Sequence, residues 1–384
     1  MSKRLVLCCD GTWNSPDQKS PTNVTKVALA VSPTDASGRE QRTFYHRGVG
    51  TNRWERLRGG AFGVGLSRNV CDAYRFLVQN FEPGDELFFF GFSRGAYTAR
   101  STAGFVRNCG ILRREHADRV DEAYALYRDK SSKTHPRGME ATLFRRSYSH
   151  ETRIHFVGVW DTVGALGIPL DGPPLARLIN RRWEFHDTKL SGAVDAAYQA
   201  LAIDEKRPPF RPTLWEPQEN PPEGQHVEQV WFAGVHCDVG GGYPEHETSD
   251  IPLLWMVNRA RSSGLTFCPD AFAGPRPPGD PSTLVADDAV ACTSVDPDAL
   301  GLLHESREKL YRVVSPYHRS IGVTDEAHEY VASSASLRHD ERTDYRPGNL
   351  DTYLAGNHRI MPVPSHLRSS SDAVATGAGV RAAG

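Results

Sequence analysis

The chain predicts an α/β protein, with a mostly parallel, doubly wound sheet covered by helices on both faces. Two observations carry this expectation. Four short apolar runs recur along the 384 residues: 4–9 (RLVLCC), 86–90 (ELFFF), 154–160 (IHFVGVW) and 227–235 (VEQVWFAGV). Runs this short and this rich in Val, Ile and Phe suit parallel strands buried on both sides. Helical patterns lie between them, and strand–helix alternation is the signature of a doubly wound sheet.

The first run stops at Asp10 and opens a loop, Gly11-Thr12-Trp13-Asn14. It is too short for the apolar core of a signal peptide. Val70, Ala73, Tyr74 and Leu77 then share one helix face, and Pro83-Gly84-Asp85 turns the chain into the second run. That run ends in GFSRGAYTAR, residues 91–100. A buried strand that stops on glycine with a lone Ser93 at the apex, followed by a helix, is the nucleophile elbow of an α/β-hydrolase. Ala96, Ala99, Ala103 and Val106 give the helix after the serine a small-residue face able to lie close on a sheet.

Two stretches interrupt the alternation. Residues 111–150 are charged and helical in character. Residues 164–225 hold two Pro-rich pieces around an Ala-rich, helix-like piece at 196–202. Both are expected as cap insertions over the site, the second offering Leu170, Leu175, Leu178 and Ile179 as an acyl-chain wall or as packing onto the sheet. The reading is one catalytic domain over 1–365 and a flexible Ser/Ala/Gly-rich tail over 366–384.

Composition narrows the function. Apolar residues make up 39% and charged residues 24%, with a net charge of −2, so no global field draws the chain to nucleic acid or an anionic membrane. Seven scattered cysteines without a C-x-x-C suggest neither a disulfide framework nor a zinc site. No apolar stretch approaches the roughly 20 residues that span a bilayer. A cytoplasmic protein without metal or cofactor is expected.

A serine nucleophile needs a base, and the base a group to hold its tautomer. In this fold the order is Ser, then an acid, then His, each on a loop at a strand's carboxyl end. Asp161 follows IHFVGVW and His236 follows VEQVWFAGV, so both sit where Ser93 sits. Asp238 is the rival acid, and Gly240-Gly241-Gly242 beside it reads as a loop needing positive φ or close backbone approach. The oxyanion donors expected are the backbone N–H of Arg94 and those of Gly11 and Thr12, with Asp10 ordering their loop.

Seven blocks, CCDGTWN, YHRGVGT, GGAFGVGL, GFSRGAYTAR, VGVWDTVGALG, ALAIDEKRPPF and WFAGVHCDVGGGY, together resemble an α/β-hydrolase family formerly of unknown function. That family includes the catalytic domains of type VI secretion phospholipase effectors. The resemblance covers about residues 3 to 350. It implies an ester hydrolase with Ser93, Asp161 and His236 in the matching motif positions. It gives no role to Gly48-Val49-Gly50 or to QALAIDE at 199–205 beyond structure or pocket lining. An ester or lipid substrate, peripheral membrane contact, export without a signal peptide by a type VI-like system, and a secretion or immunity partner belong to the same expectation.

Two rival classes stand beside this reading. LVLCCDGTWN resembles the strand-Asp-x-Asp-Gly-Thr signature of metal-dependent phosphohydrolases, but Cys8 stands where the first aspartate belongs, and a thiol is no ligand for magnesium. A non-catalytic binding module on the same fold would not require the three residues together.

Overall fold

The computed structural model describes residues 2–11, 20–48, 61–129, 131–164, 190–274, 292–307, 309–356 and 359–364. Strands β1 (Arg4–Cys9), β2 (Gln41–His46) and β3 (Glu86–Phe92) are followed by a small antiparallel pair, β4 (Ile111–Leu112) and β5 (Ser149–His150). Then come β6 (Ile154–Trp160), β7 (Val194–Ala202), β8 (His226–Phe232), β9 (Glu329–Ala332) and β10 (Ile360–Met361). Eight strands form one sheet in the order β10-β9-β8-β7-β6-β3-β1-β2, and every neighbouring pair is parallel.

Both faces are covered, which is why the strands read as unbroken apolar runs. Val6 and Cys8 of β1 and Phe88, Phe90 and Phe92 of β3 enter one core with Val24 and Val27 of α1 (Asn23–Ala30) and with Leu253, Trp255 and Met256. Leu5, Leu7, Cys9, Leu87 and Phe89 enter the other. There they meet Val70, Tyr74 and Leu77 of α2 (Ala61–Asn80) and Ala96, Ala99 and Ala103 of α3 (Arg94–Cys109). The small-residue face of α3 is therefore its sheet face. Because β1 pairs β2 on one side and β3 on the other, the connections diverge above its carboxyl end. That divergence opens the crevice in which open α/β sheets carry their sites.

Two expectations about the insertions are corrected, and one about a strand. Residues 196–202 are not helical; they lie in β7, between β6 and β8. Alanine's helix preference is below about 1 kcal/mol per residue over most residues, and ladders on both sides of a buried strand override it. Residues 111–150 do not leave from the serine's edge, because α3 first carries the chain back to the opposite edge of the sheet. Their helices, α4 (Val120–Arg128) and α5 (Met139–Tyr148), buttress α3 instead. Tyr127 stacks on Phe105 at 5.3 Å, and Asn108 donates to the Thr134 carbonyl at 2.9 Å. Finally, the strand expected over 227–235 ends at Phe232. Gly234, at φ 107°, turns the chain off the sheet while its N–H donates to Asp204 Oδ2 at 2.7 Å.

The proposed acyl wall at Leu170, Leu175, Leu178 and Ile179 lies outside the described residues, as do Thr12, Val49, Gly50 and the tail 366–384. The connection between β7 and β8 does return to the strand-end edge. Val163 bridges Pro212, and Thr213 N–H donates to the Thr162 carbonyl at 2.9 Å. Among the described residues no helix is long and apolar enough to cross a membrane.

Candidate active site

Ser93 stands between β3 and α3 at φ 58°, ψ −122°, outside the basins that a non-glycine residue prefers. Its N–H donates to the Trp160 carbonyl at 3.0 Å, which pins the turn to the end of β6. The glycines two residues either side are steric necessities. A Cβ on Gly95 would sit 2.1 Å from the Cys9 carbonyl oxygen, and one on Gly91 2.6 Å from that of Gly95. Gly95→Ala should therefore force α3 off β1 and cost about 1–3 kcal/mol, as overpacking does. Urea unfolding of the variant measures it; a midpoint equal to wild type would mean the helix rides farther from the strand than it does here.

The structure brings the three expected residues into one hydrogen-bonded chain. His236 opens the short helix α6 (His236–Gly240), and its Nε2 lies 2.8 Å from Ser93 Oγ. Its Nδ1 lies 2.5 Å from Asp161 Oδ2. Ser93 and His236 are each 4% exposed and Asp161 is 0% exposed, so the chain is shielded from water. Burial works to raise the Asp161 carboxyl. The Arg319 charge beside it, with the His236 and Arg319 hydrogen bonds, outweighs burial and holds it well below the usual carboxylate range. An ionised Asp161 accepts only, so Nδ1 carries the proton, and Nε2 is left as the acceptor for the serine hydroxyl. Burial pulls His236 below the ordinary imidazole value, only partly opposed by Asp161 and Glu205.

Several residues around this chain carry no sequence signal of their role. Arg319 grips Asp161 with both arms, Nη1 to Oδ1 at 2.6 Å and Nη2 to Oδ2 at 3.0 Å. The same two nitrogens donate to the carbonyls of Ala202 at 2.7 Å and Phe210 at 2.6 Å. Nothing in its neighbourhood, SPYHRSIG, marks it. Glu205 belongs to the QALAIDE block; its Oε2 accepts the His236 N–H at 3.3 Å and pairs with Arg207 at 2.8 Å. Phe92 and Phe210 pack on the His236 ring at 4.6 and 4.8 Å between centroids. A Cβ on Gly240 would strike the Phe92 ring, so this glycine is what lets α6 seat the histidine there.

Asp238 is occupied elsewhere. Its carboxylate accepts from Val235 N at 2.9 Å and meets His304 Nδ1 at 2.6 Å. Asp10 lies at the end of β1, beside Gly95, and accepts from Thr22 at 2.7 Å, Thr25 at 2.9 Å and Tyr45 at 2.7 Å. Its other oxygen takes the Gly11 N–H at 2.6 Å. Gly11, expected to face an oxyanion, thus donates to the preceding side chain instead, because a carboxylate one residue back is the nearest strong acceptor. Arg94 opens α3, where helix geometry leaves the first N–H groups without an intrahelical acceptor and gathers positive dipole charge. Cys8 is buried in the sheet core, with burial pushing its thiol up, and it does not line the crevice. Among the described residues no group of three or more His, Cys, Asp or Glu is placed to hold a metal ion.

Over residues 3–259 the chain matches the family described as "T6SS, Phospholipase effector Tle1-like, catalytic domain". An uncharacterized protein of Saccharomyces cerevisiae is 30% identical over 237 residues, 56% of this chain and 33% of that protein. Among solved structures, an uncharacterized protein from Pseudomonas aeruginosa superposes with a TM-score of 0.43 at 18% identity, over 69% of this chain and 46% of that one. The Tle1 effector bound to the VgrG spike of the type 6 secretion system superposes with a TM-score of 0.34 at 18% identity, over 64% and 52%. The chain thus spans a third of the curated relative and about half of each solved chain.

Proposed function

Starting from a chain that belongs to the Tle1-like T6SS phospholipase effector catalytic domain family, we propose that it is a serine esterase that cleaves carboxylic ester bonds of lipids. The observation that carries this reading is the buried relay from Ser93 through His236 to Asp161, with contacts of 2.8 and 2.5 Å. His236 Nε2 takes the Ser93 proton as Oγ attacks the ester carbonyl. Asp161 holds the Nδ1–H and stabilises the imidazolium that forms. The same imidazolium then returns the proton to the leaving alcohol, and water repeats the cycle to release the acid. The N–H of Arg94, at the positive end of α3, faces the developing oxyanion.

The substrate class is a carboxylic ester with an apolar acyl chain, and phospholipid is the member of that class the family description names. Phe210 packs beside His236, and the neighbouring Pro212–Thr213 segment is tied to Val163 and Thr162 at the end of β6, so this side offers the acyl chain its apolar wall. Each methylene buried there adds up to about 0.8 kcal/mol to binding, so specificity rises with acyl length until the pocket is full. Measured on acetyl, butyryl, octanoyl and palmitoyl nitrophenyl esters, kcat/KM should climb along the series, and phospholipid vesicles should release fatty acid. A strict acetyl preference with inert vesicles would leave a small-ester hydrolase in place of a lipase. Delivery by a type VI-like system and contact with a membrane surface belong to the same proposal.

A further inference from the structure

Arg319 lies outside residues 3–259, the part of the chain that matches the family. Yet its two terminal nitrogens make four hydrogen bonds at the site. The guanidinium and the Asp161 carboxylate are both 0% exposed and lie 2.6 Å apart at their closest. We propose that Arg319 is a positioning residue for the hydrolytic step: it fixes the rotamer and charge of Asp161, and so sets the pH below which His236 stops accepting the Ser93 proton. This rests on the reading of Ser93, His236 and Asp161 as nucleophile, base and acid.

The geometry assigns Arg319 this task in two ways. Its two arms hold both carboxylate oxygens, while the carbonyls of Ala202 and Phe210 hold the guanidinium plane. With the Ala202 N–H also donating to Oδ1 at 3.1 Å, Asp161 has one orientation left, with Oδ2 on His236 Nδ1. The second way is charge. Among the described residues, the groups that face His236 are Ser93 from the elbow, Asp161 at the end of β6, and Glu205 and Arg207 after β7; Cys237 and Asp238 follow it on α6. Glu205 is matched by Arg207 at 2.8 Å, and the Asp238 carboxylate is hydrogen-bonded to His304 Nδ1 at 2.6 Å. Among the described residues Asp161 is the one carboxylate hydrogen-bonded to the ring, and Arg319 is its counter-charge. An Asp161 stripped of that cation would bind a proton jointly with His236 more tightly, whether the proton rested on the ring or on the carboxylate. Removing Arg319 therefore moves loss of activity to higher pH.

The test is the pH dependence of kcat/KM on a short nitrophenyl ester, using the full chain. Arg319→Met should shift the acid limb upward by about one pH unit or more, a tenfold or greater extra loss on that limb. Arg319→Lys keeps the charge and should leave the limb in place, whatever its plateau. An Arg319→Met limb that coincides with wild type reduces Arg319 to a packing residue and overturns the proposal. If the unpaired buried carboxylate prevents Arg319→Met from folding, the pair Asp161→Asn with Arg319→Met removes both charges together, which buried pairs tolerate better than loss of one partner. Acting through Asp161 requires that the pair be no less active than Asp161→Asn alone; a further tenfold or greater loss in the pair overturns the proposal. Fluorophosphonate labelling of Ser93 in the wild type separates the failures. Absent labelling removes the underlying reading, whereas intact labelling with an unmoved limb removes only the role of Arg319.

Discussion

Ser93→Ala should lower kcat by about 10⁴- to 10⁶-fold with KM little changed, since only the oxyanion donors and substrate binding remain. The effect is expected to be this large because, in the proposed mechanism, Ser93 Oγ forms the covalent bond, and His236 Nε2 lies 2.8 Å from it. A fluorophosphonate probe should label the wild type and not the variant. Labelling or turnover that survives the change would assign the nucleophile elsewhere. Folding should be preserved, because alanine bears the same strain at φ 58° that serine does. Ser93→Gly should be equally inactive but melt higher, since glycine takes a positive φ without penalty. The pair of variants thus separates the chemistry of the hydroxyl from the cost of the elbow.

His236→Ala should be as damaging as loss of the serine, and Asp161→Asn should cost about 10⁴-fold, because an amide favours the wrong tautomer of the ring. The pH profile carries a sign. Only neutral His236 accepts a proton, and burial favours the neutral form, so kcat/KM should rise with pH along a limb whose midpoint lies below the ordinary imidazole value of about 6.5. An acid limb centred well above that value would mean that something other than this buried ring titrates. Asp238→Asn is the control for the acid. Its carboxylate is taken by Val235 N–H and His304, so its loss should be small beside that of Asp161→Asn. The reverse order would transfer the acid role to Asp238.

The residues placed together here differ in how far their pattern foretold them. Ser93 announces itself, because the elbow needs glycine at fixed offsets: position 95 must clear the Cys9 carbonyl and position 91 the Gly95 carbonyl. Asp161 and His236 are legible from position, each following a buried run whose carboxyl end opens onto the same edge. The unbroken run ELFFFGF is legible as burial on both faces, with Phe88 and Phe90 in one core and Leu87 and Phe89 in the other. The alanines of β7 suggest a helix because local propensity takes no account of the two neighbouring strands that override it.

What the sequence determined by itself is the parallel α/β architecture and three loop residues at strand ends. These arise from periodicity and from steric rules that act within a few residues. Tertiary structure alone decided the rest: that the carboxylate of Asp161, not that of Asp238, reaches the ring, that Gly11 turns its N–H to Asp10, and that Arg319 arrives from 158 positions downstream to hold Asp161. The physical reason is common to all three. A hydrogen bond or ion pair between distant residues leaves no period or spacing in the chain; it exists only once packing has removed water and brought its partners within about 3 Å.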